Sequence, residues 1–337
     1  MVTSRDVARL AGVSQATVSR MLTKPDLVAA TTRARVSAAM EELGYVPHAG
    51  AQAMRTQRTN TIGVVVSDLA NPFYSELLDE MTGALVSAGQ RVLLWNTDHG
   101  YHDNAIQALR ERAVDGVIFT SVTSGSVEFA AAHAGGFPIV LVNRVIEDYD
   151  GDLVISDNEQ GGALVADYLV EHGRTDVAVI TGTDSAATAR VREASFNARM
   201  AELGYPVPEY RRLNAKFDHD LAQVKSERLL GQANRPQAIF CCNDLMGFGA
   251  LDALRGQGLD AADCWVIGYD DVEMSAWPSF GLTTVRQPSR KMAQEGVAML
   301  LRRIATPDMD VQREVYRSEL LVRGSTEFTQ AYDVNHA

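Results

Sequence analysis

What the chain has little of narrows it first. Its three cysteines in 337 residues, Cys241, Cys242 and Cys264, are too few and too unevenly placed for a disulfide framework. Reduced thiols in the buried strands of a cytoplasmic protein are the expectation. No run of about 18 apolar residues occurs, so no segment reads as a membrane-spanning helix. The N-terminus is polar and charged and lacks the basic-then-apolar order of a secretion signal. The seven histidines are scattered, with no H-x-x-x-H or Cys/His ligand spacing, so no metal site is expected. G-x-S-x-G and phosphate-binding glycine loops are missing as well. Gly161-Gly162 opens a helix but lacks a third spaced glycine and a following Lys-Thr. These absences argue against an enzyme, and no cofactor is expected.

What is present is a charge asymmetry. The net charge of −12 by itself speaks against nucleic acid. Residues 1–58, however, carry eight Lys/Arg against four Asp/Glu, so a basic head precedes a strongly acidic body. Attraction for phosphate is thereby confined to the head.

That head has a recognisable grammar. Thr3, with Asp6 three residues later, reads as a helix start. Val7, Leu10 and Ala11 share one apolar face. Gly12 permits a sharp turn with positive φ. Ser14 then caps a second helix whose apolar side is Thr17, Val18, Met21 and Leu22, leaving Gln15, Ala16, Ser19 and Arg20 outward near its N-terminus. Two short helices around a tight turn, the second with an exposed polar first turn, make a helix-turn-helix. Gln suits adenine, Arg suits guanine and an Ala methyl suits thymine in a major groove.

The run D-V-A-x-x-A-G-V-S-x-x-T-V-S-R resembles the DNA-binding domain of the LacI/GalR family of bacterial transcription regulators, and the resemblance continues along the chain. It implies a third helix from about Thr31 to Leu43, ended by Gly44. The family's usual serine cap is replaced by Ala29, with Thr31 as the alternative cap. Residues 47–59 match the family's hinge helix, A-Q-A-M placing Met54 where a leucine enters the minor groove; a plain linker is the other reading. The residues expected at DNA are Thr3, Arg5, Ser14, Gln15, Ala16, Thr17, Ser19, Arg20 and Thr31 in the head. His48, Ala51, Met54 and Arg55 are those expected in the hinge.

From Thr61 apolar strands alternate with helices. Strands are expected near Ile62–Ser67, Arg91–Trp95, Gly116–Phe119, Ile139–Val142, Val177–Ile180, Ala238–Cys241 and Trp265–Gly268. Helices are expected at 72–88, 103–113, 159–172, 188–203, 219–232 and 244–257. Such alternation implies α/β architecture with parallel sheets, and two sets of it imply two similar halves. The landmarks I-G-V-V-V-S-D-L-A-N-P-F-Y (62–74), D-N-E-Q-G-G (157–162), V-I-G-Y-D-D (266–271) and L-T-T-V-R-Q-P (282–288) extend the resemblance. The expected plan is a three-helix DNA-binding domain (1–46), the hinge (47–59) and a periplasmic-binding-protein-like core (60–337). That core comprises two doubly wound parallel-sheet subdomains, one about 60–157 and 288–317, the other about 158–286 and 318–332. A solute-binding protein would share this core but has no use for the head.

Open parallel sheets bind ligands outside the C-terminal ends of their strands. Asn71, Phe73 and Tyr74 follow the first strand, where the resemblance implies an effector-facing loop, although Asn71 also suits a helix cap and Phe73 a core position. Asn143 and Arg144 end another strand. Arg190 and Arg192 lie in T-A-R-V-R-E-A-S-F. Arg192 matches a family arginine that contacts effector, although Ser195 replaces the glycine three residues on; an ion pair with Asp184 or Glu193 is its structural alternative. Asp270 matches the aspartate that accepts from effector hydroxyl or N–H groups, while Asp271 reads as solvent-facing or helix-capping. Phe217 stands at the position of a stacking aromatic within a departing pattern. Asn243 caps a helix while lining the cleft, and Gln287 reaches ligand or backbone. The implied function is a repressor controlled by a small polar effector, a sugar or sugar derivative. It would act as a homodimer on near-palindromic double-stranded operator DNA, without membrane attachment. Tetrameric relatives append a leucine-heptad helix, and Tyr332–Ala337 carries none.

Overall fold

The computed structural model describes residues 2–46, 58–97, 102–122, 125–146 and 149–327. The hinge positions His48, Ala51, Met54 and Arg55, and the C-terminal residues from 328 on, lie outside the described residues. The chain divides into two compact units, Met1–Thr59 and Asn60–Ala337.

The first unit is a three-helix domain. Its helices are α1 (Ser4–Ala11), α2 (Gln15–Thr23) and α3 (Ala30–Leu43). The Asp6 carboxylate accepts from the Thr3 N–H at 3.0 Å and the Thr3 hydroxyl at 2.7 Å, closing the start of α1. Gly12 sits at φ 61°, and the Arg35 guanidinium from α3 donates to the carbonyls of Ala11 and Gly12, fastening the turn. Ser14 Oγ accepts from the Thr17 N–H at 3.1 Å. Val7, Ala8, Ala11, Val18, Val36 and Ala39 form the core. The third helix begins one residue earlier than expected. Ala29 occupies the N-cap with no side-chain acceptor, and Thr31 lies inside the first turn rather than capping it. An alanine cap costs about 1 kcal/mol relative to serine, which α3 offsets by packing Val36 and Ala39.

The second unit holds two sheets of matching design. The first runs β11-β5-β4-β3-β1-β2, with β1 (Thr61–Val66), β2 (Arg91–Asn96), β3 (Gly116–Phe119), β4 (Ile139–Val142), β5 (Asp152–Ser156) and β11 (Arg313–Tyr316), all parallel. The second runs β12-β10-β9-β8-β6-β7. Its strands are β6 (Val177–Thr181), β7 (Arg212–Asn214), β8 (Ala238–Cys241), β9 (Trp265–Asp270), β10 (Thr283–Arg286) and β12 (Glu319–Leu321), and only β12 is antiparallel. The chain passes between lobes after Ser156, after Arg286 and between Tyr316 and Glu319.

Helices α4 (Pro72–Ser87), α5 (His102–Arg110), α6 (Val127–Ala134) and α11 (Ser289–Ala305) belong to the first lobe. Helices α7 (Asn158–Glu171), α8 (Ala187–Glu202), α9 (His219–Leu230) and α10 (Asp244–Gly256) belong to the second. The central strands β1, β3, β4, β6, β8 and β9 are buried on both faces, hence their near-continuous apolar runs. α7 and α8 approach closely at Gly162, where an added Cβ would stand 2.1 Å from Ser195 Oγ and 2.6 Å from the Arg192 carbonyl. Cys241, Cys242 and Cys264 are buried free thiols. Among the described residues no helix is long and apolar enough to cross a membrane.

Candidate functional site

In each lobe the strand order reverses beside the first strand, β1 or β6, which makes a crevice at the C-terminal strand ends. The two crevices face one another across a cavity of about 820 Å³. The first lobe contributes Ser67, Asp68, Asn71, Phe73, Tyr74, Ser121, Asn143 and Arg144. The second contributes Thr183, Ser185, Thr188, Arg192, Lys216, Phe217, Asp218, His219, Asp220, Asn243 and Asp270. Asp68, Asn143, Lys216, Phe217 and Asp270 all have positive φ, between 54° and 125°. Non-glycine residues seldom adopt such conformations, and they gather where a fold aims side chains at a ligand.

Asp270 and Arg192 form the centre of the wall. Arg192 Nη1 donates to Asp270 Oδ1 at 3.2 Å and to the Cys242 carbonyl at 2.8 Å, while its Nε donates to Asn158 Oδ1 at 2.7 Å. Its guanidinium also lies 3.8 Å from the centroid of the Tyr269 ring. Gln287 Nε2 donates to Asp270 Oδ1 at 2.6 Å and its Oε1 accepts from Ser156 Oγ at 2.6 Å. Asn158 Nδ2 donates to the Ser156 carbonyl at 3.0 Å. Ser156, Gln287, Asp270, Arg192 and Asn158 thus close a buried ring that joins two of the interlobe crossings to the cavity wall. Burial pushes the Asp270 carboxyl above the ordinary carboxylate range, with Arg192 and Gln287 pulling against it. Deeper still, burial raises Asp244 despite hydrogen bonds from Thr284, Ser275 and the Val272 N–H.

Of the effector residues expected from sequence, Asn71, Phe73, Tyr74, Asn143, Arg144, Arg192, Phe217, Asn243 and Asp270 line the cavity. Asn71 also caps α4 through the Phe73 N–H at 3.1 Å, and Asn243 caps α10 through the Met246 N–H at 3.0 Å. Two of the expected residues do not line the cavity. Arg190 is exposed and donates to the Asp184 carbonyl; two residues along a helix from Arg192, it falls on the far side. Gln287 stands behind the wall and holds Asp270 rather than facing the cavity. The ion-pair partner of Arg192 is Asp270, not Asp184 or Glu193. Asp271 is neither solvent-facing nor a cap, being clasped by Arg286 at 2.7 Å and Arg323 at 2.6 Å. Ser67, Asp68, Ser121, Thr183, Ser185, Thr188, Lys216, Asp218, His219 and Asp220 were not anticipated; they lie in the loops that follow strands or, for Thr188, His219 and Asp220, in the first turns of α8 and α9.

In the head, Gln15, Ala16 and Arg20 on α2 are exposed and Ser19 is half-buried. Gln15 Nε2 donates to Ser4 Oγ at 2.9 Å, and Ser14 and Thr17 are occupied in the cap. Thr3 is engaged with Asp6, while Arg5 and Thr31 are exposed.

A helix-turn-helix head with a polar first turn on its second helix, followed by a two-lobed core enclosing a polar cavity, is the layout of a DNA-binding transcription regulator. Two family profiles match: that of bacterial regulatory proteins of the lacI family over residues 3–48, and that of the periplasmic binding protein-like domain over residues 166–326. The HTH-type transcriptional repressor PurR of Vibrio campbellii is 34% identical over 330 residues, covering 96% of this chain and 98% of that protein. The ribose operon repressor of Escherichia coli K12 is also 34% identical, covering 96% of this chain and 100% of that protein. The solved lac repressor dimer bound to operator and the anti-inducer ONPF matches with a TM-score of 0.84 at 27% identity, covering 96% of this chain and 99% of that one. The chain belongs to the LacI family of bacterial regulatory proteins. It is a DNA-binding regulator and not an enzyme.

Proposed function

We propose that the protein is a repressor whose operator affinity is set by a hydroxyl-rich small molecule, a sugar or sugar derivative, held between the two lobes. The observation that carries this reading is the cavity wall, where the Asp270–Arg192 pair and the Asn143 and Asn243 amides meet the rings of Phe73, Tyr74 and Phe217. Carboxylate, amide and guanidinium groups match vicinal hydroxyls, and ring faces match the C–H faces of a sugar. The likeness to a ribose operon repressor supports this class of ligand. One head reads too few base pairs for a specific site, so two copies on a near-palindromic operator follow, as in the solved lac repressor dimer. In the head, Gln15, Ala16 and Arg20 are the base-reading residues and Arg5 touches phosphate. His48, Ala51, Met54 and Arg55 would join them from the hinge. Thermal-shift screening of the full-length protein against sugars, sugar acids, polyols and nucleobases tests the ligand class. Stabilisation by a nucleobase alone would reject it.

A further inference from the structure

The hydrogen-bonding balance around Arg144 bears on the charge of the ligand. This step rests on the hydroxyl-rich reading above and narrows it. Arg144 is 8% exposed, and among the described residues no carboxylate pairs with it. Its Nε donates to the Thr120 carbonyl at 3.2 Å, its Nη1 to the Thr188 hydroxyl at 3.5 Å and its Nη2 to the Tyr74 hydroxyl. A guanidinium has five N–H groups, so two remain unspent. Each hydroxyl, by accepting from Arg144, is left with its own proton to donate.

Of the four cavity carboxylates three have partners of their own, and the fourth, Asp68, makes no ion pair with Arg144. Asp270 serves Arg192 and Gln287, Asp218 caps α9 through the Leu221 N–H, and Asp220 pairs with His219. Beside Arg144, α8 begins at the cavity without a side-chain cap, because its N-cap is Ala186. The neighbouring starts of α4 and α10 are capped by Asn71 and Asn243. The positive end of a 16-residue helix therefore opens onto the same space as a buried cation that no carboxylate pairs directly. Asn243 Nδ2, on a side chain 2% exposed, is one more donor without an acceptor.

Cation, hydroxyl protons, amide and helix end all lack the same thing, an oxyanion. We propose that the effector is an anionic polyhydroxylated molecule, a sugar acid or sugar phosphate, whose oxyanion sits between Arg144 and the N-terminus of α8. Arg144 and Tyr74 come from one lobe and Thr188 and α8 from the other, so the oxyanion bridges the cleft.

Calorimetric titration of the full-length protein with matched probes tests this: glucose against gluconate, galactose against galacturonate, glucose against glucose 6-phosphate, and inorganic phosphate alone. An anionic member should bind roughly 10- to 100-fold more tightly than its neutral parent, and the carboxylate and phosphate arms identify the oxyanion. Arg144→Gln should bring that ratio to within about twofold, and Arg144→Lys should keep an intermediate ratio, a point charge without the fork. If Arg144→Gln does not fold, the wild-type pairs decide alone. Neutral parents binding as tightly as their anions overturn the proposal and leave the hydroxyl-rich reading standing. Phosphate binding that depends on Arg144, with no sugar of either kind bound, overturns the hydroxyl-rich reading and leaves the oxyanion seat. Binding of no probe overturns both.

Discussion

Replacing Arg192 with Met removes the cationic half of the buried ring while keeping a side chain of comparable length. The two partners are 4% and 5% exposed, so solvent does little to screen the pair. Asp270 would retain Gln287 as its neighbour, and the Asn158 amide oxygen and Cys242 carbonyl would each lose a donor. Breaking one side of a buried pair costs about 3–5 kcal/mol at pH 8. The loss depends on pH with a definite sign. Burial already holds the Asp270 carboxyl above its unfolded value, and Arg192 pulls it down. Without Arg192 it rises further, so the folded state binds the proton more tightly than the unfolded chain. The variant is then most stable in mild acid and loses stability as pH climbs through the raised value, at about 1.4 kcal/mol per unit of rise. Asp244, raised by its own burial, is present in both proteins. Urea unfolding followed by tryptophan fluorescence at pH 5 and pH 8 reads this directly, since Trp95, Trp265 and Trp277 all belong to the core unit. The companion Arg192→Met/Asp270→Asn removes the orphaned charge and should recover about 2 kcal/mol at pH 8. A loss under about 1 kcal/mol at pH 8, or equal losses at both pH values, would refute the reasoning.

Gln15→Ala should change the operator preferred in a randomised-site selection, at about 1–3 kcal/mol for the affected base pair, with Arg20→Ala altering a different position. Unchanged selected sites would remove both from base readout. Gly162→Ala forces a Cβ against Ser195 Oγ and the Arg192 carbonyl and should destabilise the core by about 1–3 kcal/mol. Adding Ser195→Gly should relieve only part of this, since the contact with the backbone carbonyl persists; full recovery in urea unfolding would contradict that packing.

Much of the fold was legible because it is written in long apolar runs. Strands such as Ile139–Val142 and Ala238–Cys241 are buried on both faces, and helices such as α10 follow their N-caps at once. The elements not anticipated were β5, β7, β10, β11, β12, α6 and α11. β7 is three residues long and mostly polar, β12 is three residues at a sheet edge, and α6 is alanine-rich with few large apolar side chains, whereas β5 and the 17-residue α11 do bury apolar side chains. At the cavity, Asp270 and Arg192 were legible because they stand in landmark motifs. Lys216 carries no such mark, and Asp68 and Thr188, although inside I-G-V-V-V-S-D-L-A-N-P-F-Y and T-A-R-V-R-E-A-S-F, carry no chemistry there that singles them out. Their role arises from the reversal of strand order beside β1 and β6, which brings loops distant in sequence to one place. Arg190 shows how two residues along a helix reach opposite faces. Gln287 shows that a polar residue near a ligand site can serve it by holding another.

The central claim is that one molecule couples the cavity to the operator, and linkage gives it a direct measurement. Operator affinity of the full-length protein is measured by fluorescence anisotropy with and without the tightest compound from the sugar and sugar-acid panel. The affinity of that compound is then measured on free and operator-bound protein. The account predicts that the compound shifts operator affinity by about 5- to 150-fold and that the operator shifts the compound's affinity by the same factor. A compound that fills the cavity yet leaves operator affinity unchanged would contradict it.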